Sequence, residues 1–143
     1  MLLHIFSLIY FLFGLVNSRT YNVKTIEEVN QVLNRVSNKD IIQLNDGLFT
    51  GTVKWTLNKN EVILRAKNLG RVTLSGLVHI SLNGNNNTLS GIQFANNLPK
   101  NSAKNVIEIN GDYNLVTECN FVNYTAKRYI HISAHTKYNT ITF

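Results

Sequence analysis

The sequence predicts an all-β protein: a right-handed, single-stranded parallel β-helix, or solenoid, with a short capping α-helix at its N-terminal end. Three observations carry the prediction. A short pattern returns three times between Leu77 and Phe143, each copy alternates apolar with polar residues, and an asparagine holds the same place in every copy. Asn87, Asn114 and Asn139 are separated by 27 and then 25 residues. A period in that range indicates stacked repeat units, and units with a two-residue alternation are strands.

The first copy contains Val78, Ile80 and Leu82 on one face of a strand and His79 and Ser81 on the other. Ile107 and Ile109 take up the inward places in the second copy, and Ile130, Ile132 and Ala134 in the third. After each turn come Leu89, Val116 or Ile141, then Ile92 or Cys119, then Phe94 or Phe121. Coils stacked about 4.8 Å apart convert these into internal ladders of like residues. Asparagine suits the turn because it tolerates the left-handed conformation and its amide can bond a neighbouring coil. The right hand follows from the crossover preference of parallel strands, not from any residue here.

Earlier elements fit the same frame. Tyr21 to Val23 is an extended lead-in. Thr25-Ile26-Glu27-Glu28 matches a capping box, and Ile26, Val29, Leu33 and Val36 recur at helical spacing, predicting a helix over 26–36. A solenoid needs its open end covered, and this helix is placed to do it. Ile41 to Leu44 is the first strand, Asn45-Asp46-Gly47 a turn, and Phe49 to Leu57, Val62 to Ala66 and Val72 to Leu74 supply one to two less regular coils. Asn96 to Lys104, with Pro99, reads as a polar loop leaving the stack.

Leu2 to Val16 is apolar apart from His4, Ser7 and Gly14, and small residues follow at Val16-Asn17-Ser18. Residues 1–18 therefore read as a secretory signal peptide, short for a membrane span, and 19–143 as one incomplete β-helix domain of N-terminal coils. The expected location is extracellular, with no membrane association after cleavage. All 14 basic and 8 acidic residues fall in the mature part, which keeps the net charge of +6. An exported basic protein meets acidic polysaccharide more readily than nucleic acid. Cys119 is the sole cysteine and sits where the first copy has Ile92, so it reads as a buried structural thiol. Asn86-Asn87-Thr88 and Asn123-Tyr124-Thr125 are glycosylation sequons at Asn86 and Asn123. Phosphate-binding loops, zinc-spaced Cys/His clusters and nucleophile motifs are absent from the sequence.

Several stretches together resemble the N-terminal part of the polysaccharide lyase family containing alginate lyases and chondroitinase B. They are the cap helix, Ile42 to Phe49, Val62 to Ala66, Gly70 to Gly76, and Leu89 to Phe94, within a span from Asn22 to Phe121. The resemblance implies β-elimination on uronate polysaccharides of the alginate or chondroitin/dermatan type, with calcium bound in full-length members. A cation must neutralise the uronate carboxylate, a base must take the neighbouring proton, and an acid must assist the leaving oxygen. In the family a Lys and an Arg on later coils do the proton chemistry. No residue of this chain matches them or the calcium ligands, so no catalytic residue, metal ligand or cofactor is assigned to it.

The densest polar run is Lys127 to Tyr138, with Tyr129, His131, Ser133 and His135 projecting outward from one strand. Aromatic faces beside cations hold a sugar ring and its carboxylate, which makes Arg128, His131 and His135 candidate substrate-binding residues. His79 and His131 read as the same outward place in two copies, with Val106 between them, hence about 10 Å apart and unable to share a metal. Glu108 reads as a solvated carboxylate in a row with Ser81 and Ser133. The chain ends in mid-coil without a C-terminal cap, which predicts a truncated copy prone to self-association through its open end. The alternatives are a non-catalytic β-helix that binds carbohydrate or protein at a cell surface, or a partial gene product.

Overall fold

Strand alternation that buries one side and an Asx-rich turn every few residues leave the backbone one economical solution, which is to coil. The computed structural model of the protein describes residues 17–95 and 104–143. The leader at 1–18 falls almost entirely outside the described residues, as does the loop around Pro99.

Strands β1 (Thr20–Val23), β2 (Ile41–Leu44), β4 (Ile63–Ala66), β6 (Thr88–Ser90), β9 (Leu115–Thr117) and β12 (Thr140–Thr142) stack in that order into one parallel sheet. The second sheet contains β3 (Gly47–Leu57), β5 (Val72–Leu82), β7 (Ile92–Ala95), β8 (Asn105–Ile109), β10 (Asn120–Val122) and β11 (Arg128–Ile132). The long strands β3 and β5 pair along their whole length; β7 and β10 continue the stack over their first halves, β8 and β11 over their second. The second sheet therefore has two facets, and each full coil has three sides. Between the sheets run ladders of apolar side chains in register, buried except for the half-buried last member of each: Ile42, Leu64, Leu89, Val116 and Ile141; Phe49, Leu74, Phe94 and Phe121; Trp55, Ile80, Ile107 and Ile130. Phe94 and Phe121 stack with ring centroids 4.7 Å apart, which is the coil spacing itself.

Three rows of polar side chains tie successive coils at the turn that enters the first sheet. Asn87 Oδ1 accepts from Val62 N, Asn114 Oδ1 from Asn87 N, and Asn139 Oδ1 from Asn114 N, each at 2.8 Å. Asp40 opens this row, accepting from Arg19 N and Ser37 N at 2.9 Å. Although burial pushes its pKa upward, those two N–H groups prevail and hold it below the ordinary carboxylate value. A parallel row runs Asn38, Asn60, Asn85 and Asp112, each accepting from the backbone N–H one coil on. Asn58, Asn83 and Asn110 form the third, amide to amide, and Ser133 Oγ closes it by donating to Asn110 Oδ1. A buried backbone N–H without a partner costs about 1–3 kcal/mol, so the asparagines stabilise the stack by position rather than by bulk.

The left-handed residue at this turn is not the ladder asparagine. Positive φ falls one place earlier in every coil, on Lys39, Glu61, Asn86, Tyr113 and Tyr138, with φ between 57° and 71°. The ladder residue must aim its side chain at the coil before it, and the reversal of direction is taken up by its predecessor. Tyr113 and Tyr138 occupy that unfavourable conformation on adjacent coils and stack on each other at 4.9 Å.

Helix α1 (Ile26–Leu33) is shorter than its periodicity suggests, ending at Asn34, while Val36 is still buried beyond it. Glu28 N donates to Thr25 Oγ1 as a capping box requires, but the Glu28 carboxylate accepts from Lys24 N rather than from Thr25 N. The helix sets Val29 and Val32 against β3 and β1 at the N-terminal end of the stack.

One gap in the wall has its own plug. Strand β5 runs unbroken through Gly76, but β7 above it ends at Ala95 and β8 begins only at Asn105. That strands the Gly76 carbonyl and the Val78 N–H. Tyr124, from the coil beyond, fills the space: its OH donates to Gly76 O at 2.8 Å and accepts from Val78 N at 3.0 Å.

Candidate functional site

The outer surface of the second facet, on β3, β5, β8 and β11, gathers the polar residues singled out by the sequence. Register places Lys54, His79, Val106 and Tyr129 in one outward row, and Thr56, Ser81, Glu108 and His131 in the next. His79 and His131 are thus in different rows, two coils apart, with Glu108 directly below His131. Glu108 is not in a row with Ser133, which instead ends the amide ladder. The pairing is governed by the inward ladder, which sets Ile130 over Ile107 and Ile107 over Ile80. Relative to the repeat pattern in the sequence, the third copy is offset by two residues. Such a shift preserves which residues face outward and changes only which ones meet.

Glu108 is consequently engaged. His79 Nε2 lies 3.5 Å from Glu108 Oε2, and His79 Nδ1 lies 2.8 Å from Asn105 O. A carbonyl oxygen only accepts, so Nδ1 carries a proton and Nε2 is the nitrogen turned to the carboxylate. Tyr129 is also fixed: its OH donates to Tyr124 O at 2.8 Å, and its ring meets Phe121 at 4.9 Å. Arg128 opens β11 at the exposed edge of this face, its Nη1 3.5 Å from Asn105 Oδ1. His131 is half-buried on the strand. His135 lies in the turn beyond Ile132, where β11 ends, so it does not project from the strand. The face therefore presents His131 and Lys54 around His79 and Glu108, while Arg128, which shares the side of Ile130 and Ile132 by alternation, is exposed where β11 begins. The sequon asparagines Asn86 and Asn123 are both exposed at turns, with φ of 57° and 51°.

The sequence analysis passed over Lys54 and two of the three polar rows. Their signal was present as the repeated Asn83-Gly84-Asn85 and Asn110-Gly111-Asp112. Each glycine sits where a side chain would enter the coil beneath, so the motif marks turns stacked directly on one another.

Among the described residues no three His, Cys, Asp or Glu side chains are disposed to hold a metal ion. Cys119 is buried, and desolvation raises its thiol from 9.0 to about 11, which keeps it protonated and unreactive at neutral pH. The unfolded chain then gives up this proton first as pH rises, so stability falls between pH 9.0 and about 11. The full loss approaches 3 kcal/mol, taking about 1.4 kcal/mol per pKa unit. Urea denaturation across that range should show the decline in the native chain and a flatter profile in Cys119→Ala.

With the fold and this face described, comparison with known proteins is decisive at the family level. The sequence model of chondroitinase B matches residues 23–140. The chain belongs to the chondroitinase B family. Solved structures agree in fold. A polysaccharide lyase of family 6 from Pseudopedobacter saltans superimposes with a TM-score of 0.70 at 20% identity, over 84% of this chain and 36% of that one. A mannuronic acid specific family 6 lyase from human gut microbiota gives 0.54 at 16% identity, over 71% of this chain and 26% of that one. The chain thus spans about a third of the length of the first of these. No curated protein sequence matches it. Among the described residues of this chondroitinase B family member, no helix is long and apolar enough to cross a membrane.

Proposed function

We propose that this chain forms the N-terminal coils of an exported lyase that cleaves uronate polysaccharide by β-elimination, and that its part is to hold the polymer. The family match over residues 23–140 carries this reading. The net charge of +6 supports it, as do His131 and Lys54 on one face beside an ordered tyrosine, with Arg128 exposed where the same strand begins. Guanidinium and imidazolium groups would take sugar carboxylates, and His135, at the following turn, would meet the same chain further on. The paired His79 and Glu108 and the amide row of Asn58, Asn83 and Asn110 give that face fixed donors and acceptors for hydroxyls. Proton abstraction and leaving-group protonation, together with the calcium site, belong on this reading to coils C-terminal to those described.

Titration with an oligouronate tests the reading. Arg128→Ala combined with His131→Ala is expected to weaken binding about tenfold, since charge-assisted contacts to carboxylate are lost. Equal affinity in the double variant would reject the face. Ultraviolet absorbance of the unsaturated product, followed with alginate and with chondroitin, is expected to stay flat for this chain alone. A rising signal would place the catalytic groups within it.

A further inference from the structure

Around the corner from that face, where the first sheet turns into the second, lies a groove of about 330 Å³ that the proposed function does not use. Arg65 on β4 and Ser90 on β6 are register partners in its floor. Arg65 is held in place by a relay. Its Nε and Nη2 both donate to Gln43 Oε1, at 3.1 and 2.9 Å, and Gln43 Nε2 donates to Asn22 Oδ1 at 2.8 Å. That engages one side of the guanidinium and leaves both Nη1 hydrogens and one on Nη2 for another acceptor. Lys67 follows two residues on, and among the described residues neither cation is ion-paired.

The opposite lip is acidic. Glu118 Oε2 accepts from Ser90 Oγ at 3.1 Å, and Glu118 holds a left-handed backbone, φ 55°, at the bend where the coil below has Gly91. A non-glycine residue kept in that conformation at a groove is a reason to look for a role. Leu69, 64% exposed, adds an apolar edge.

We propose that this groove is a second carbohydrate site, which takes one acidic sugar unit. Its carboxylate would sit on the Arg65 fork with Lys67 beside it, its hydroxyls would donate to Glu118, and its C–H face would lie on Leu69. A simple anion is a poorer fit, because Glu118 repels it and offers it nothing. A hydroxylated acid has separate ends for the two lips. The site lies on a different sheet from Arg128 and His131, and it does not depend on whether the protein cleaves anything.

The probes are mannuronate trisaccharide, neutral mannotriose and inorganic sulfate, each titrated into the full chain by calorimetry and by following the Arg65 Nε–H resonance. The trisaccharide should shift that resonance in the wild type and still do so in Arg128→Ala/His131→Ala, even if that face proves inert. Arg65→Gln/Lys67→Gln, both exposed positions, should weaken the trisaccharide about tenfold at this site with an unchanged melting temperature. Glu118→Gln should weaken the trisaccharide and tighten sulfate. A silent Arg65 resonance overturns the site whatever the variants do. Equal binding of mannotriose, or a Glu118→Gln chain that binds trisaccharide and sulfate both more tightly, overturns the acidic-sugar assignment.

Discussion

Gly84→Ala is expected to abolish the cooperative folding of the central coils. A Cβ at Gly84 would lie 2.0 Å from the Lys59 carbonyl oxygen, and one at Gly111 would lie 2.1 Å from the Gly84 oxygen. The atom in the way is backbone, so no side chain can swing aside. Coils held about 4.8 Å apart by their own hydrogen bonds would have to separate locally. That would also pull Asn83 from Asn58 and Asn85 N from Asn60, so several inter-coil bonds fail together. A loss beyond about 4 kcal/mol places the substitution in the exceptional class of core disruptions. Circular dichroism and a thermal melt would check it. A melting temperature close to the wild type would mean that the turns are not stacked as described. By contrast, Cβ atoms built at Gly47 or Gly70 meet nothing, so alanine there should cost only the backbone strain of a positive φ, about 1–3 kcal/mol.

The second large effect is expected from Tyr124→Phe, which removes a single oxygen. That hydroxyl donates to the Gly76 carbonyl and accepts from the Val78 N–H, two groups without a strand on that side once the wall opens between β7 and β8. The ring would remain, with its edge toward Phe94 at 6.3 Å and Phe121 at 6.4 Å, so packing is preserved. Leaving two backbone groups unsatisfied costs about 1–3 kcal/mol each, and a total of about 2–6 kcal/mol should appear in urea denaturation. Hydrogen exchange at the Val78 amide should accelerate with it. Unaltered protection at Val78 would contradict the plug.

How much of this could be read beforehand depends on which periodicity carried it. The two-residue alternation is local, and it correctly identified Val78, Ile80 and Leu82 as inward and His79 and Ser81 as outward. Returning Leu89, Val116 and Ile141 gave the internal ladder because those residues face a core that tolerates only apolar neighbours. The meeting of His79 with Glu108 was not legible. It depends on the number of residues in the coil between, and that number changes from one coil to the next. Arg65 and Lys67 lie at the end of β4 and Glu118 two coils on, after β9, each in a segment of ordinary composition. Nothing in any one of those segments marks them as sharing a groove. Tyr124 stood out only as the middle residue of the sequon at Asn123. Its work is to close the gap in the wall between β7 and β8.

The sequence by itself determined the solenoid, the cap helix, the row of Asn87, Asn114 and Asn139, and the family, because each of these is written in spacing along the chain. Only the tertiary structure decided which outward side chains touch, where the left-handed residue of each turn falls, and which cations are held ready. Facing is a property of one strand, whereas contact across coils depends on register. An offset of two residues leaves the first unchanged and alters every pair in the second.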